Sequence, residues 1–359
     1  MTTKLEFTYQ ALPMRVRFGA GSISCLREEM DAIGLKRALV LCTPGRQDTA
    51  RLIAEALGDR VAGVHAGARM HVPADVAQRA REAASWAGAD GYVAVGGGSA
   101  IGLSKAIALA SGLPIIAVPT TYSGSEMTPV WGLSENGEKR TGTDARVLPR
   151  SVIYDPELTL ALPPTMSVTS GMNAVAHAVE ALYAPDASPV ISLMAEEGAR
   201  AIAHGLPRVV AEPADGDGRA AMLYGAWLCG ACLGATTMSL HHKLCHILGG
   251  SFGLPHADTH TVVLPHVLAF NTPAAPAMTA ALRRALDTDS PARELHALGT
   301  ALGAPRSLSE LGLREADLDL AVELATRNPY ANPRPVTPEG VRHILDAAFT
   351  GRPPDESGA

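Results

Sequence analysis

The chain has 359 residues, of which 47% are hydrophobic and 4% aromatic, and a formal charge of -6. Length and apolar content predict two domains, and the mixed, slightly acidic charge offers no broad basic surface, so nucleic acid is not expected as a partner. No apolar run approaches the length of a membrane span and no signal-like leader opens the chain, so a soluble, cytoplasmic protein with no membrane partner is expected.

In chain order, residues 14–18 alternate apolar and basic side chains ahead of Gly19 and Gly21, as an edge strand leading into a turn does. Short continuous apolar runs at 38–42 and 114–119 suit parallel strands buried on both faces, 61–64 and 91–95 read as further strands, and 152–156 closes the sheet domain. Helical spacing lies between them at 23–33, 49–57, 74–87 and 102–110. Strand and helix in alternation predict a doubly wound α/β sheet. Turn residues Asn136 and Gly137 inside 131–149 predict a hairpin.

Two loops follow strands at the edge where such sheets bind ligands. The first, Gly96, Gly97, Gly98 and Ser99, leads from a strand into a helix, and bare backbone amides there suit a pyrophosphate. It is not the usual G-x-G-x-x-G, since position 101 is isoleucine. The second carries Thr120, Thr121, Tyr122, Ser123, Ser125 and Thr128. Together they suit a dinucleotide. A third strand end carries Thr43 and Arg46 instead of an acid, which tolerates either nicotinamide nucleotide.

After Pro163 the pattern turns to alanine-rich helices, expected at 166–183, 189–205, 219–233, 239–248, 262–271, 275–286, 291–302, 315–326 and 338–349. The domains are therefore drawn at 1–160 and 161–359. The five cysteines are odd in number and scattered, as in a reducing compartment. Cys229 and Cys232 match C-x-x-C but lie in one of these helices, where they read as small core residues.

Between Leu240 and Pro265 stand His241, His242, His246, His256 and His260, five of the 12 histidines. His242 and His246 share a helix face, Gly249 and Gly250 are expected to end that helix, and a loop is expected to return His256 toward it. Imidazoles so grouped make a metal site, an acid/base site or an anion pocket. Upstream, Asn173, His177 and Glu180 share one helix face. A carboxylate at 173 would complete a metal site with His177, His242 and His256, but asparagine is a weak, neutral ligand.

These motifs, in this order, resemble the iron-containing (group III) alcohol dehydrogenase superfamily, and within it the maleylacetate reductase branch. The Thr120–Pro129 run, His241 to His246 and Asn173 carry the closer likeness. The resemblance implies an N-terminal Rossmann-like domain, an all-helical C-terminal domain, a cleft between them and a homodimer. This is the dehydroquinate synthase-like architecture. It also implies NADH- or NADPH-dependent reduction of the carbon–carbon double bond of maleylacetate, a small dicarboxylate, to 3-oxoadipate in aromatic-compound breakdown, with no metal required. On this reading Gly96, Gly97, Gly98, Ser99, Thr120, Thr121, Ser125, Thr128 and Lys139 hold the cofactor. Asn173, Lys243 and Tyr122 face substrate; His177, His242, His246 and His256 are catalytic, with His242 the first candidate for proton donor.

The chain departs from the alcohol dehydrogenase pattern where Asn173 replaces an aspartate ligand, Thr43 a nucleotide-selecting aspartate, and Gly102 an aspartate after the glycine run. Two alternatives keep the architecture. One is a metal-dependent (iron or zinc) alcohol dehydrogenase acting on a small alcohol or aldehyde; the other is a carbon–oxygen lyase with no net consumption of NADH.

Overall fold

The structure, a computed structural model, describes residues 7–135 and 138–355, apart from the side chains of Glu138 and Lys139. Leu12–Leu162 forms one compact unit; the described residues from Pro163 onward, with 7–11, form the other. The boundary thus falls two residues later than the expected 160/161, where Pro163 and Pro164 start a helix and so cannot continue the sheet unit's chain path. Residues 7–11 group with the helical unit, which nothing in their sequence signals.

The first unit runs β1 (Arg15–Phe18), α1 (Leu26–Ala32), β2 (Ala38–Leu41), α2 (Gln47–Leu57), β3 (Val61–His65), α3 (Ala74–Trp86), β4 (Gly91–Gly96), α4 (Gly98–Ser111), β5 (Ile115–Pro119), β6 (Val130–Glu135), β7 (Glu138–Thr143) and β8 (Ser151–Tyr154). Six strands form one parallel sheet in the order β1-β8-β5-β4-β2-β3. The runs of β2, β4 and β5 are buried on both faces, whereas β3, at the edge of the sheet, is only half-buried. Val40, Cys42, Val93 and Val95 pack with Leu26 and Met30 of α1 and Ile53 and Leu57 of α2. Leu39, Leu41 and Tyr92, one residue out of phase, pack with Val76 and Ala80 of α3 and Leu103 and Ile107 of α4. The expected hairpin is the antiparallel pair β6–β7; its turn, Asn136 and Gly137, lies outside the described residues.

The edge strand β1 is tied down electrostatically. Glu29, buried on α1, accepts from Arg15 at 2.9 Å, Arg17 at 2.7 Å and Ser151 on β8 at 2.7 Å. These bonds, the one from Arg15 foremost, hold its carboxyl down at about 2 against the opposing effect of burial.

The second unit has nine described α-helices: α5 (Pro164–Ala181), α6 (Pro189–Ala211), α7 (Gly216–Ala235), α8 (Leu240–Phe252), α9 (His256–Asn271), α10 (Pro276–Leu286), α11 (Pro291–Ala301), α12 (Leu318–Thr326) and α13 (Pro338–Thr350). No single helix is long and apolar enough to cross a membrane. Helix α5 is buried along most of its length. Helices α6 and α7 touch through glycine: a Cβ on Gly225 would lie 2.8 Å from the Gly198 carbonyl. Cys229 and Cys232 are fully buried in α7, with thiol pKa values raised by burial, as inert core residues are.

Two expectations are corrected here. Gly249 and Gly250 remain helical, and α8 ends at Gly253, whose φ of 73° supports a Leu254 N–H to Leu248 carbonyl bond of 3.3 Å. His256 does not return on a loop but opens α9, which therefore begins six residues before the expected 262.

Replacing Glu29 by Gln removes charge-assisted bonds and should lower stability by about 1.5–3 kcal/mol at neutral pH. Because the folded carboxyl titrates near 2, the wild-type advantage should be complete above the ordinary carboxylate range and vanish as pH falls toward 2. Denaturant titrations of both proteins across that window check it; a constant difference down to the lowest pH would refute it.

Candidate active site

The histidines assemble on three helices of the second unit. His177 and Asn173 lie on α5, His241, His242 and His246 on α8, and His256 and His260 on α9. The His177 and His242 rings stack with centroids 5.2 Å apart; His242 and His260 meet edge-on at 5.0 Å. His256 lies 4.3 Å from His260, and His246 6.0 Å from His242. Asn173, His177, His241, His242 and His260 are buried, whereas His246 and His256 are exposed.

A single carboxylate organises the group. Glu180 is fully buried at the start of α8. It accepts from the backbone N–H groups of Ser239 at 2.9 Å and His241 at 2.8 Å, and from the Tyr183 hydroxyl at 2.9 Å. His242 Nδ1 lies 2.6 Å from its Oε2. Burial alone would raise the Glu180 pKa, but the His242 contact and the helix-start amides hold it at about 2, so the group is ionised. Its charge faces the positive end of the α8 dipole. With Nδ1 directed at Glu180, His242 Nε2 is left for another partner, and it has none.

Other polar atoms here are also unpartnered: Asn173 Oδ1, His177 Nδ1 and His260 Nε2 are buried without a hydrogen bond. Buried polar atoms are nearly always satisfied, so four in one group mark a place for a polar ligand. Burial, aided by neighbouring rings, lowers the pKa of His177 and His260 well below normal and that of His241 to about 3. These three rings are neutral near pH 7 and act through hydrogen bonds, not charge. Lys243 is half-buried on the same helix.

Whether the residues suit the iron of the alcohol dehydrogenase pattern follows from their donors. At the four ligand positions stand Asn173, His177, His242 and His256, none of them anionic. The nearby carboxylate, Glu180, is already engaged by four donors. This set does not fit a tightly held divalent iron. A neighbouring trio, His241, Cys245 and His260, has ligand atoms within 4.8 Å of one another. Within it His241 Nε2 and His260 Nδ1 are hydrogen-bonded at 2.9 Å, and burial pushes the Cys245 thiol well up, keeping it protonated, while His260 Nε2 stays unpartnered.

In the sheet unit the glycine run opens α4 directly. Gly97 caps α4 with no side-chain bond, and a Cβ there would lie 2.5 Å from Thr121 Oγ1. Gly96 has φ +146°, and the buried Thr120 hydroxyl has no partner. Glycine amides at a helix start, packed too closely on Thr121 for a side chain, and an unsatisfied Thr120 hydroxyl fit a nucleotide phosphate. Gly102 has a local reason too: a Cβ there would be 3.0 Å from Val72 Cγ2, and Val72 sits at φ 47°, its carbonyl accepting from Ser134 N–H.

Sequence reasoning misses the hub of this loop. Lys105 on α4 is fully buried, and its ammonium donates to the carbonyls of Ser125, Thr128 and Val130 at 2.6, 2.7 and 2.9 Å and to the Thr128 hydroxyl at 2.9 Å. Burial lowers its pKa to about 7, opposed by Glu126, which accepts from the Tyr154 hydroxyl at 2.8 Å. Thr128 and Ser125 thus serve the loop's own structure. Tyr122 is fully buried in this unit, and the Lys139 side chain lies outside the described residues. Sequence reasoning counts His241 and His260 in the imidazole group without an individual role, and gives none to Glu180 or Tyr183; the i, i+4, i+7 spacing of Asn173, His177 and Glu180 is the available signal for Glu180.

Comparison with known proteins agrees. Residues 13–156 match the iron-containing alcohol dehydrogenase family model, and 167–349 its C-terminal domain model. The chain is 55% identical over 345 residues to a maleylacetate reductase of Burkholderia cepacia, covering 96% of this chain and 98% of that protein. Crystal structures of maleylacetate reductases from Agrobacterium tumefaciens (50% identity, TM-score 0.95, 98% and 100% of the two chains) and Rhizobium sp. strain MTP-10005 (51%, 0.94, 97% and 99%) share the fold. The chain belongs to the iron-containing alcohol dehydrogenase family, on its maleylacetate reductase branch.

Proposed function

We propose that the protein reduces the carbon–carbon double bond of maleylacetate to give 3-oxoadipate, with NADH or NADPH as reductant. The observation that carries this is the carboxylate-free set Asn173, His177, His242 and His256, in a chain about half identical to maleylacetate reductases along nearly its whole length. The substrate is a dianion whose alkene is conjugated to a ketone. An ionised side chain at 173 would repel it; the asparagine amide does not.

Gly96, Gly97, Gly98 and Ser99 at the start of α4, with Thr120 and Thr121, would hold the nucleotide phosphates. When bound, the reduced nicotinamide supplies hydride to the alkene carbon beta to the ketone. The protein must then stabilise an enolate oxygen and deliver a proton to the alpha carbon. His242 suits the proton delivery, because Glu180 orients its ring through Nδ1 and would balance an imidazolium, leaving Nε2 to meet substrate. The neutral rings of His177 and His260 and the amide of Asn173 offer hydrogen bonds. The exposed His246 and His256 and the half-buried Lys243 offer further hydrogen-bond donors for the carboxylates. The family resemblance also leads us to read the assembly as a homodimer.

Three outcomes test the proposal. Maleylacetate should drive oxidation of reduced nicotinamide at an unchanged rate after EDTA and dialysis, with no turnover of simple alcohols; alcohol turnover abolished by chelator would establish a metal-dependent alcohol dehydrogenase instead. His242→Phe should lower kcat by about 10²–10⁴ with little change in KM, the range for losing a general acid. Asn173→Asp should lower kcat/KM for maleylacetate by about tenfold or more, roughly 1.4 kcal/mol of transition-state stabilisation. The same variant should retain zinc or iron in elemental analysis; a variant as metal-free and as active as the parent would sink the argument from charge.

A further inference from the structure

Position 260 is not one of the four ligand positions of the family pattern, yet its side chain is fully buried beside them. The His260 ring meets the His242 ring edge-on at 5.0 Å and packs 4.3 Å from that of His256. Its two nitrogens are treated differently. Nδ1 is hydrogen-bonded to His241 Nε2 at 2.9 Å, whereas Nε2 is buried with no partner. The bond ties α9 to α8 and fixes the ring, because turning it over would surrender the one hydrogen bond it has. Besides His242, it is the ring among the described residues of this group that offers an unpartnered nitrogen while held by the other one.

The next link sets which nitrogen of His260 carries the proton. The Cys245 sulfur lies 3.7 Å from His241 Nε2 and 4.0 Å from Nδ1. Nε2 is committed to His260, so the protonated thiol has Nδ1 as its acceptor. An imidazole nitrogen accepts better than a thiol sulfur does, so the thiol is the donor of that pair. His241 then holds its proton on Nε2 and donates it to His260 Nδ1. His260 in turn keeps its own proton on Nε2. Neither ring bonds the Glu180 carboxylate, whose four donors are the Ser239 and His241 amides, the Tyr183 hydroxyl and the His242 ring. The chain from Cys245 through His241 to His260 thus ends in an unmatched N–H donor beside the ring that Glu180 orients.

Resting on the maleylacetate reductase reading above, we propose that His260 Nε2–H is the donor that stabilises the enolate oxygen, with His241 the positioning residue that holds it in that tautomer. Hydride from the reduced nicotinamide bonds to the beta carbon, the alkene pair moves between the alpha and carbonyl carbons, and the carbonyl pair moves onto oxygen. His242, as imidazolium, then gives its Nε2 proton to the alpha carbon, the oxygen pair re-forms the ketone, and solvent reprotonates His242. The alpha carbon and that oxygen are attached to the same carbon, so the two donors must stand side by side, as His242 and His260 do. A donor aimed at developing charge contributes most when its orientation is set beforehand.

Steady-state kinetics with maleylacetate test the donor. His260→Phe should lower kcat by about 10²–10³, the range for losing an oxyanion donor, with little change in KM. His260→Gln, whose amide keeps an N–H donor, should recover about tenfold of that loss, the worth of one hydrogen bond. In protein carrying 15N-labelled histidine, long-range proton–nitrogen correlation should show His260 protonated at Nε2, assigned by its absence from His260→Gln. His241→Phe should turn that signal into a mixture of both tautomers and lower kcat by about tenfold, less than loss of the donor itself. Full kcat in a folded His260→Phe, a loss confined to KM, or a wild-type His260 protonated at Nδ1 would each overturn the assignment while leaving wild-type maleylacetate reduction intact. Should His260→Phe fail to fold, the wild-type spectrum decides. A wild type that leaves reduced nicotinamide unoxidised by maleylacetate would instead overturn the reductase reading, and this assignment with it.

Discussion

The histidine cluster of the helical unit depends on one buried negative charge. Glu180 has no access to water, and such a charge survives only if donors surround it. Four do: two backbone amides at the start of α8, the Tyr183 hydroxyl and the His242 ring. Removing any of them alters the others, because α8 begins where the carboxylate is and His242 projects from its first turn. The same bonds that start a helix therefore also choose which nitrogen of His242 is left over. A structural cap and a chemical assignment are one interaction.

Around that charge the buried rings of His177, His241 and His260 are neutral, and the ligand positions of the family pattern hold no carboxylate. The ligand positions of the family pattern hold an amide and three imidazoles, and the buried rings of His177 and His260 have pKa values well below normal. Imidazole suits iron or zinc, but a neutral amide in place of a carboxylate is a weaker ligand that leaves the ion's charge uncompensated. A doubly negative enone needs the opposite: donors without repulsion. One residue type at 173 shifts the balance between these demands, because the histidines suit either.

Much of this was legible in the sequence. The parallel strands were, because residues buried on both faces, such as those of β4 and β5, leave uninterrupted apolar runs. The shared faces of His242 with His246 and of Asn173 with His177 and Glu180 were, because helical spacing places them, whereas bringing the two helices together rested on the family resemblance. The ends of α8 and the start of α9 were not. Glycine pairs permit a helix stop without requiring one, and Gly253, whose positive φ provides the actual stop, carries no stronger local signal than Gly249. Lys105 was invisible for a different reason. Its partners are backbone carbonyls on a loop some 20 residues away, and carbonyls have no residue signature. The His241–His260 bond likewise joins two helices whose relative placement only the tertiary structure defines.

Lys105 has a consequence for motion. Its ammonium fastens three consecutive stretches of the loop after β5 to the helix that begins with the glycine run. The two loops expected to embrace the nucleotide are thereby parts of one stiff body and not independent flaps. Their ordering entropy is given up during folding, before any cofactor arrives, so uptake meets a mould already set.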